Sequence, residues 1–158
     1  MTMASSTTKP AEMVRAISDR LSSEKPDSAI TPKVPTSDSG NATAVSLTGS
    51  NNADTLIGGL GDDTLFGGVG NDALTGGAGA DTFNVTAGTD TISDLGNGAD
   101  ILTVSSGATA NATLGGAWTA TSASSNAGTA SITASGFGVN LSAVTGSSGW
   151  TVTNTGNA

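Results

Sequence analysis

From Gly49 the chain can be cut every nine residues, giving GSNNADTLI, GGLGDDTLF, GGVGNDALT, GGAGADTFN and VTAGTDTIS. Aspartate recurs as Asp54, Asp63, Asp72, Asp81 and Asp90, and two positions later comes a large apolar residue: Leu56, Leu65, Leu74, Phe83 and Ile92. Glycine holds the fourth slot at Gly61, Gly70, Gly79 and Gly88, with Asn52 in its place in the first unit. One further residue is inserted before Asp100, whose neighbours Gly98 and Leu102 keep most of the pattern. Such a period excludes a conventional globular core. Six glycine-rich residues suit a tight turn that needs positive φ, and three residues suit a very short strand with one inward apolar side chain. Two units then make a coil of about 18 residues, and stacked coils make two parallel sheets with the apolar column between them. The expected fold is therefore all-β, a parallel β-roll or β-solenoid. Composition agrees: 23 glycines and only five aromatic residues (Phe66, Phe83, Phe137, Trp118, Trp150) suit a narrow repeated core better than a thick one.

The same coil places the aspartates in two columns on opposite edges, Asp54, Asp72 and Asp90 on one and Asp63, Asp81 and Asp100 on the other. Strands stack about 4.8 Å apart, and two unit charges about 5 Å apart repel by roughly 3 kcal/mol at an effective dielectric near 20. Several such pairs rival the ~5–15 kcal/mol stability of a domain, so the segment needs counter-ions. The charge distribution sharpens this. Residues 1–40 hold all five basic groups (Lys9, Arg15, Arg20, Lys25, Lys33) and five acids, and residues 101–158 carry no charged side chain. The net charge of −8 thus resides in Asp54, Asp62, Asp63, Asp72, Asp81, Asp90, Asp94 and Asp100. An acidic block without basic relief argues against nucleic acid or an anionic membrane as partner. With no histidine or cysteine, the usual zinc sites, thiol nucleophiles and a Ser-His-Asp triad are excluded. Calcium fits: it is a hard cation taking 6–8 oxygens, backbone carbonyls included. Counting pairs in each column gives about four Ca2+ ions. Asp62 occupies a variable slot and is expected to face solvent, while Asp94 begins an irregular bridge.

GGLGDDTLF, GGVGNDALT and GGAGADTFN each match GGxGxDxUx, and over residues 49–102 the chain resembles the RTX, or haemolysin-type, calcium-binding repeats. That resemblance implies a β-roll with calcium in the turns between units 18 residues apart, folding outside the bacterial cell, and type I secretion without a cleaved N-terminal signal. Carried over position by position, it implies Asp54, Asp63, Asp72, Asp81, Asp90 and Asp100 as side-chain ligands. The turn carbonyls around Gly58 to Gly61, Gly67 to Gly70 and Gly76 to Gly79 complete the set, among them those of Gly59, Gly61, Gly68, Gly70, Gly77 and Gly79.

Outside the repeat, residues 1–40 read as an N-terminal arm. A short helix is expected over 11–23, with Met13, Ile17 and Leu21 on one face after Pro10, followed by an extended linker through Pro26, Pro32 and Pro35. The roll is expected over 41–102, beginning with a strand candidate at 40–47. Ala/Ser/Thr/Gly-rich β-structure stacked upon it is expected over 103–158, with strands at 138–141 and 150–153. No HExxH or GxSxG occurs, so catalysis is not expected. The sequence points to an extracellular structural protein that folds on binding calcium. Its expected partners are other copies of itself, joined head to tail in filaments or a surface or matrix layer. Gly-Asn-Ala at 40–42 and again at 156–158 fits such a succession. The alternative is a monomeric calcium-dependent secretion or binding module. An adhesin fragment is less favoured, as is an ice-binding array, the latter because Thr55, Thr64, Thr82 and Thr91 alternate between sheets and Ala73 interrupts one file.

Overall fold

The computed structural model describes residues 35–156, and the helix expected over 11–23 lies outside them. Fourteen strands follow one another: β1 (Pro35–Ser37), β2 (Ser46–Thr48), β3 (Thr55–Gly59), β4 (Thr64–Phe66), β5 (Ala73–Gly77), β6 (Thr82–Val85), β7 (Thr89–Leu95), β8 (Ile101–Val104), β9 (Thr109–Leu114), β10 (Trp118–Thr119), β11 (Ser125–Asn126), β12 (Thr129–Thr133), β13 (Val139–Asn140) and β14 (Trp150–Thr153). They form a seven-stranded sheet, β1-β3-β5-β7-β9-β12-β14, a five-stranded sheet, β11-β8-β6-β4-β2, and the pair β10-β13. Every pairing is parallel and joins strands one coil apart. This is the β-solenoid expected from the repeat.

Register follows the nonapeptide. Leu56 pairs with Leu74 and Leu74 with Ile92 in the larger sheet, while Leu47 pairs with Leu65, Leu65 with Phe83 and Phe83 with Leu102 in the other. All seven are buried, and they form the apolar column between the sheets. Each such side chain contributes about 1.5–3 kcal/mol relative to exposure, and because a single coil shields none of them, the coils are stable only as a stack. After Ile92 the coils lengthen. Ile92 pairs with Ala112, Ala112 with Ile132 and Ile132 with Val152, each twenty residues on.

Two boundaries differ from expectation. Pro35–Ser37, which reads as the end of an extended linker, is indeed extended but pairs with Thr55–Ile57 as an edge strand. Proline is compatible with such a position because the missing N–H falls at a sheet edge. Of the candidate strand at 40–47, only Ser46 and Leu47 are in strand, continued by Thr48. Residues 38–44 instead form a turn, with the Asn41 side chain donating to Asp38 Oδ2 at 2.8 Å and Leu60 N–H reaching Asn41 O at 2.8 Å.

Candidate metal centre

The six aspartates of the two columns are only 0–2% exposed. Each follows a glycine turn and immediately precedes a strand or, for Asp90, lies second in one, so its backbone belongs to the ladder. Asp54 N–H donates to Asp72 Oδ1 at 2.9 Å and Asp72 N–H to Asp90 Oδ1 at 3.0 Å. On the opposite edge Val45 N–H donates to Asp63 Oδ1 at 2.9 Å, Asp63 N–H to Asp81 Oδ1 at 2.8 Å, and Asp81 N–H to Asp100 Oδ1 at 3.0 Å. One carboxylate oxygen of Asp63, Asp72, Asp81, Asp90 and Asp100 is thus spent locking its coil to the coil before it. The columns run as the repeat implies, with Val45 standing where the coil preceding Asp63 would carry an aspartate.

The second oxygens are the informative ones. Asp63 Oδ2, Asp72 Oδ2 and Asp90 Oδ2 are fully buried and accept no hydrogen bond. A buried acceptor left unpaired costs about 1–3 kcal/mol, more when charged, so three such atoms call for a ligand. They face spaces kept open by the first glycine of each unit. A Cβ on Gly67 would lie 2.4 Å from Asp72 Oδ2 and 3.0 Å from Asp90 Oδ2. On Gly58 it would lie 2.3 Å from Asp63 Oδ2 and 2.5 Å from Gly76 O. On Gly76 it would lie 2.2 Å from Asp81 Oδ2, and on Gly49 2.8 Å from Asp54 Oδ2 and 2.1 Å from Gly67 O. Four oxygen-lined cradles result, two on each edge. The next two units close the series, because their first slots hold Val85 and Leu95, both 0% exposed and paired in the ladder with Val104 and Leu114.

The donor set suits calcium. Among the described residues no three His, Cys, Asp or Glu side chains converge, so any ion here draws on a carboxylate or two plus backbone carbonyls, which are the oxygens calcium accepts. Gly67 O and Gly76 O reach the cradles directly. Gly59 O accepts Ala78 N–H at 2.9 Å and Gly68 O accepts Thr86 Oγ1 at 3.1 Å, each with a lone pair to spare. Gly59, Gly68, Gly70, Gly77 and Gly79 all have positive φ, and Gly61 packs on Thr43 and Ala44 of the coil below. At Gly77 a side chain would start 1.9 Å from Gly59 O, so only glycine lets successive turns stack.

Burial, opposed by the backbone N–H each accepts and aided by the charge of the neighbouring rungs, pushes the carboxyls of Asp81 and Asp90 up to about 6. Asp63, Asp72 and Asp100 are also raised, again chiefly by burial. Without a cation these columns are strained in charge.

Two aspartates outside the columns have other tasks. Asp94 accepts from Gly76 N–H at 3.1 Å and Gly77 N–H at 2.7 Å, so its carboxylate struts one coil against the turn below. Asp62 is exposed as expected, yet its Oδ1 accepts Ala80 N–H of the next coil at 2.7 Å. Asn71 does the same for Thr89 N–H at 2.9 Å on the other edge. The variable slot therefore carries a hydrogen-bonding job that the nine-residue pattern does not announce. Trp118 is also absent from the sequence reading of the site. It is buried, and its Nε1 donates to Asp100 O at 3.0 Å, so the indole sits on the last rung.

A family model described as RTX calcium-binding nonapeptide repeat matches residues 48–83, 57–92 and 75–108, with four copies. No match was found among curated proteins or among solved structures.

Proposed function

We propose, from the premise that residues 48–108 are RTX calcium-binding nonapeptide repeats forming a β-roll, that this is an extracellular structural protein. Calcium closes its roll and separate copies stack head to tail. RTX repeats bind Ca2+, and four cradles accommodate about four ions. The observation that carries the calcium-triggered step is the set of buried, unpartnered oxygens on Asp63, Asp72 and Asp90. A bound cation satisfies them, and without it their mutual repulsion and desolvation oppose closure. The β-roll is a structural and binding fold, and this reading assigns the chain no catalytic role. Export by a bacterial type I route, typical of such repeats, fits calcium-triggered folding, since the polypeptide then closes only where calcium is plentiful.

Assembly is supported by the ends of the stack. Among the described residues β14 pairs only with β12, which leaves its other edge with backbone donors and acceptors to share. Val152, within this strand, is 42% exposed, and Phe137 is 40% exposed. A contact between this end and the β1/β2 end of another copy is heterologous and propagates. The monomeric module is favoured by Asn154, whose Oδ1 accepts Gly136 N–H at 2.8 Å and Gly156 N–H at 3.2 Å and so closes the last turn. Circular dichroism across a calcium titration, followed by negative-stain microscopy, separates the two. We expect β-signal to rise with calcium and filaments or sheets to disperse in chelator. Monomers under both conditions would leave only the module, and full β-signal in chelator would remove the calcium trigger.

A further inference from the structure

The four cradles are not alike. At Gly58 and Gly67 the carboxylate oxygens that face the opening (Asp63, Asp72 and Asp90 Oδ2) have no protein donor. At the cradle of Gly49, Asp54 Oδ2 is already engaged by Ser50, which donates both its backbone N–H and its Oγ–H, the latter at 2.8 Å. Ser50 stands in the slot that Gly59, Gly68 and Gly77 fill in the later units. At Gly76 the facing oxygen is Asp81 Oδ2, and the rung that follows Asp81 in its column is Asp100, whose Oδ2 accepts Gly96 N–H at 2.7 Å and whose Oδ1 accepts Asp81 N–H. Both of its oxygens are met by the protein. The end of each column whose carboxylate is already satisfied is therefore a poorer host than its inner cradle.

We infer that this chain binds calcium in two classes: two tight ions, one held by Asp63 at the Gly58 cradle and one by Asp72 and Asp90 at the Gly67 cradle, and two weaker ions at the Gly49 and Gly76 cradles, where Ser50 and the Gly96 N–H compete for Asp54 and Asp100. This deepens the calcium-roll reading and rests on it. An ion in either outer cradle shares or displaces charge-assisted hydrogen bonds that the inner cradles lack, which lowers affinity by about tenfold or more. The inner rungs close the roll first, and the outer ions respond to calcium over a higher range. Ser50 is then an affinity-setting residue, its slot being glycine in each of the next three units.

The test is calorimetric titration of calcium into the chelator-stripped full chain, with ions counted by native mass spectrometry. The expected result is two binding phases of two ions each. Asp54→Asn and Asp100→Asn remove ions only from the weaker phase, whereas Asp63→Asn and Asp90→Asn remove them from the tight one. Ser50→Gly, which introduces the residue the next three units carry and so folds safely, moves one weak ion several-fold toward the tight class. Four equivalent sites, a tight ion lost in Asp54→Asn, or an unchanged titration in Ser50→Gly would each overturn the two-class assignment while leaving the roll intact. No calcium uptake at all would instead overturn the roll reading itself.

Discussion

One coil geometry serves two chemically different halves of this molecule. In the repeat half the file facing the turn reads Asp54, Asp72, Asp90. Followed along the ladder into the second half, the same file continues as Ala110, Ala130 and Trp150. The first slots change with it, from open glycines to the buried Val85 and Leu95. Where the first half leaves oxygens for a cation to satisfy, the second fills the file with apolar side chains that call for none. The coil is held by its ladder and apolar file in both. Calcium is an addition forced by the carboxylates, not a requirement of the parallel coil as such.

The strongest way to break that comparison is to remove calcium. We expect hydrogen exchange of the full chain in chelator to leave the amides of β9 and β12 protected while those of β3, β4 and β5 exchange freely. Simultaneous loss in both halves would mean that the second half depends on the ions after all. A smaller perturbation tests the same point from the other side. Ala110→Asp extends the carboxylate file into a coil whose first slot offers no cradle, and an unpaired buried charge costs about 3–5 kcal/mol. Calcium is expected not to restore this loss, as thermal unfolding at low and high calcium will show.

The least expected effect is that of pH. Asp81 and Asp90, pushed up to about 6, bind a proton more tightly in the folded, metal-free form than when unfolded. The metal-free repeat half therefore gains stability as the pH falls from 7 through 6 toward 4 and loses it as the pH rises. Calcium affinity runs the opposite way, since protons and calcium compete for the same oxygens. Circular dichroism melts of stripped and loaded protein at pH 5 and 7 should cross. Parallel behaviour would show that the buried carboxyls ionise freely.

The repeat half was legible because each slot has one job: Leu56, Leu65 and Leu74 can only be core, and aspartates at the same interval can only form files. What was hidden lies where jobs change hands. Val85 and Leu95 look like lapses in a glycine pattern and are plugs. Asp94 looks like a spare acid and is a strut across Gly76 and Gly77. The second half was hard to read because its coils vary in length and its files are alanine, which carries little pattern. A trace was present nonetheless, since Thr113, Thr133 and Thr153 recur at twenty residues and stand in register. Pro35 concealed β1, proline being a stronger turn and linker cue than an edge-strand cue.

Among the described residues every strand bonds only to strands one coil away, so no ladder spans the stack, and this governs how the stack yields to force. Tension applied at the two ends of this stack reaches the coils in series and peels the terminal one first. A coil of eighteen residues occupies about 5 Å of the stack yet releases about 60 Å of chain when it lets go. Each coil is thus a small reserve of length, and the divalent rivets along the repeat half decide which reserves open last.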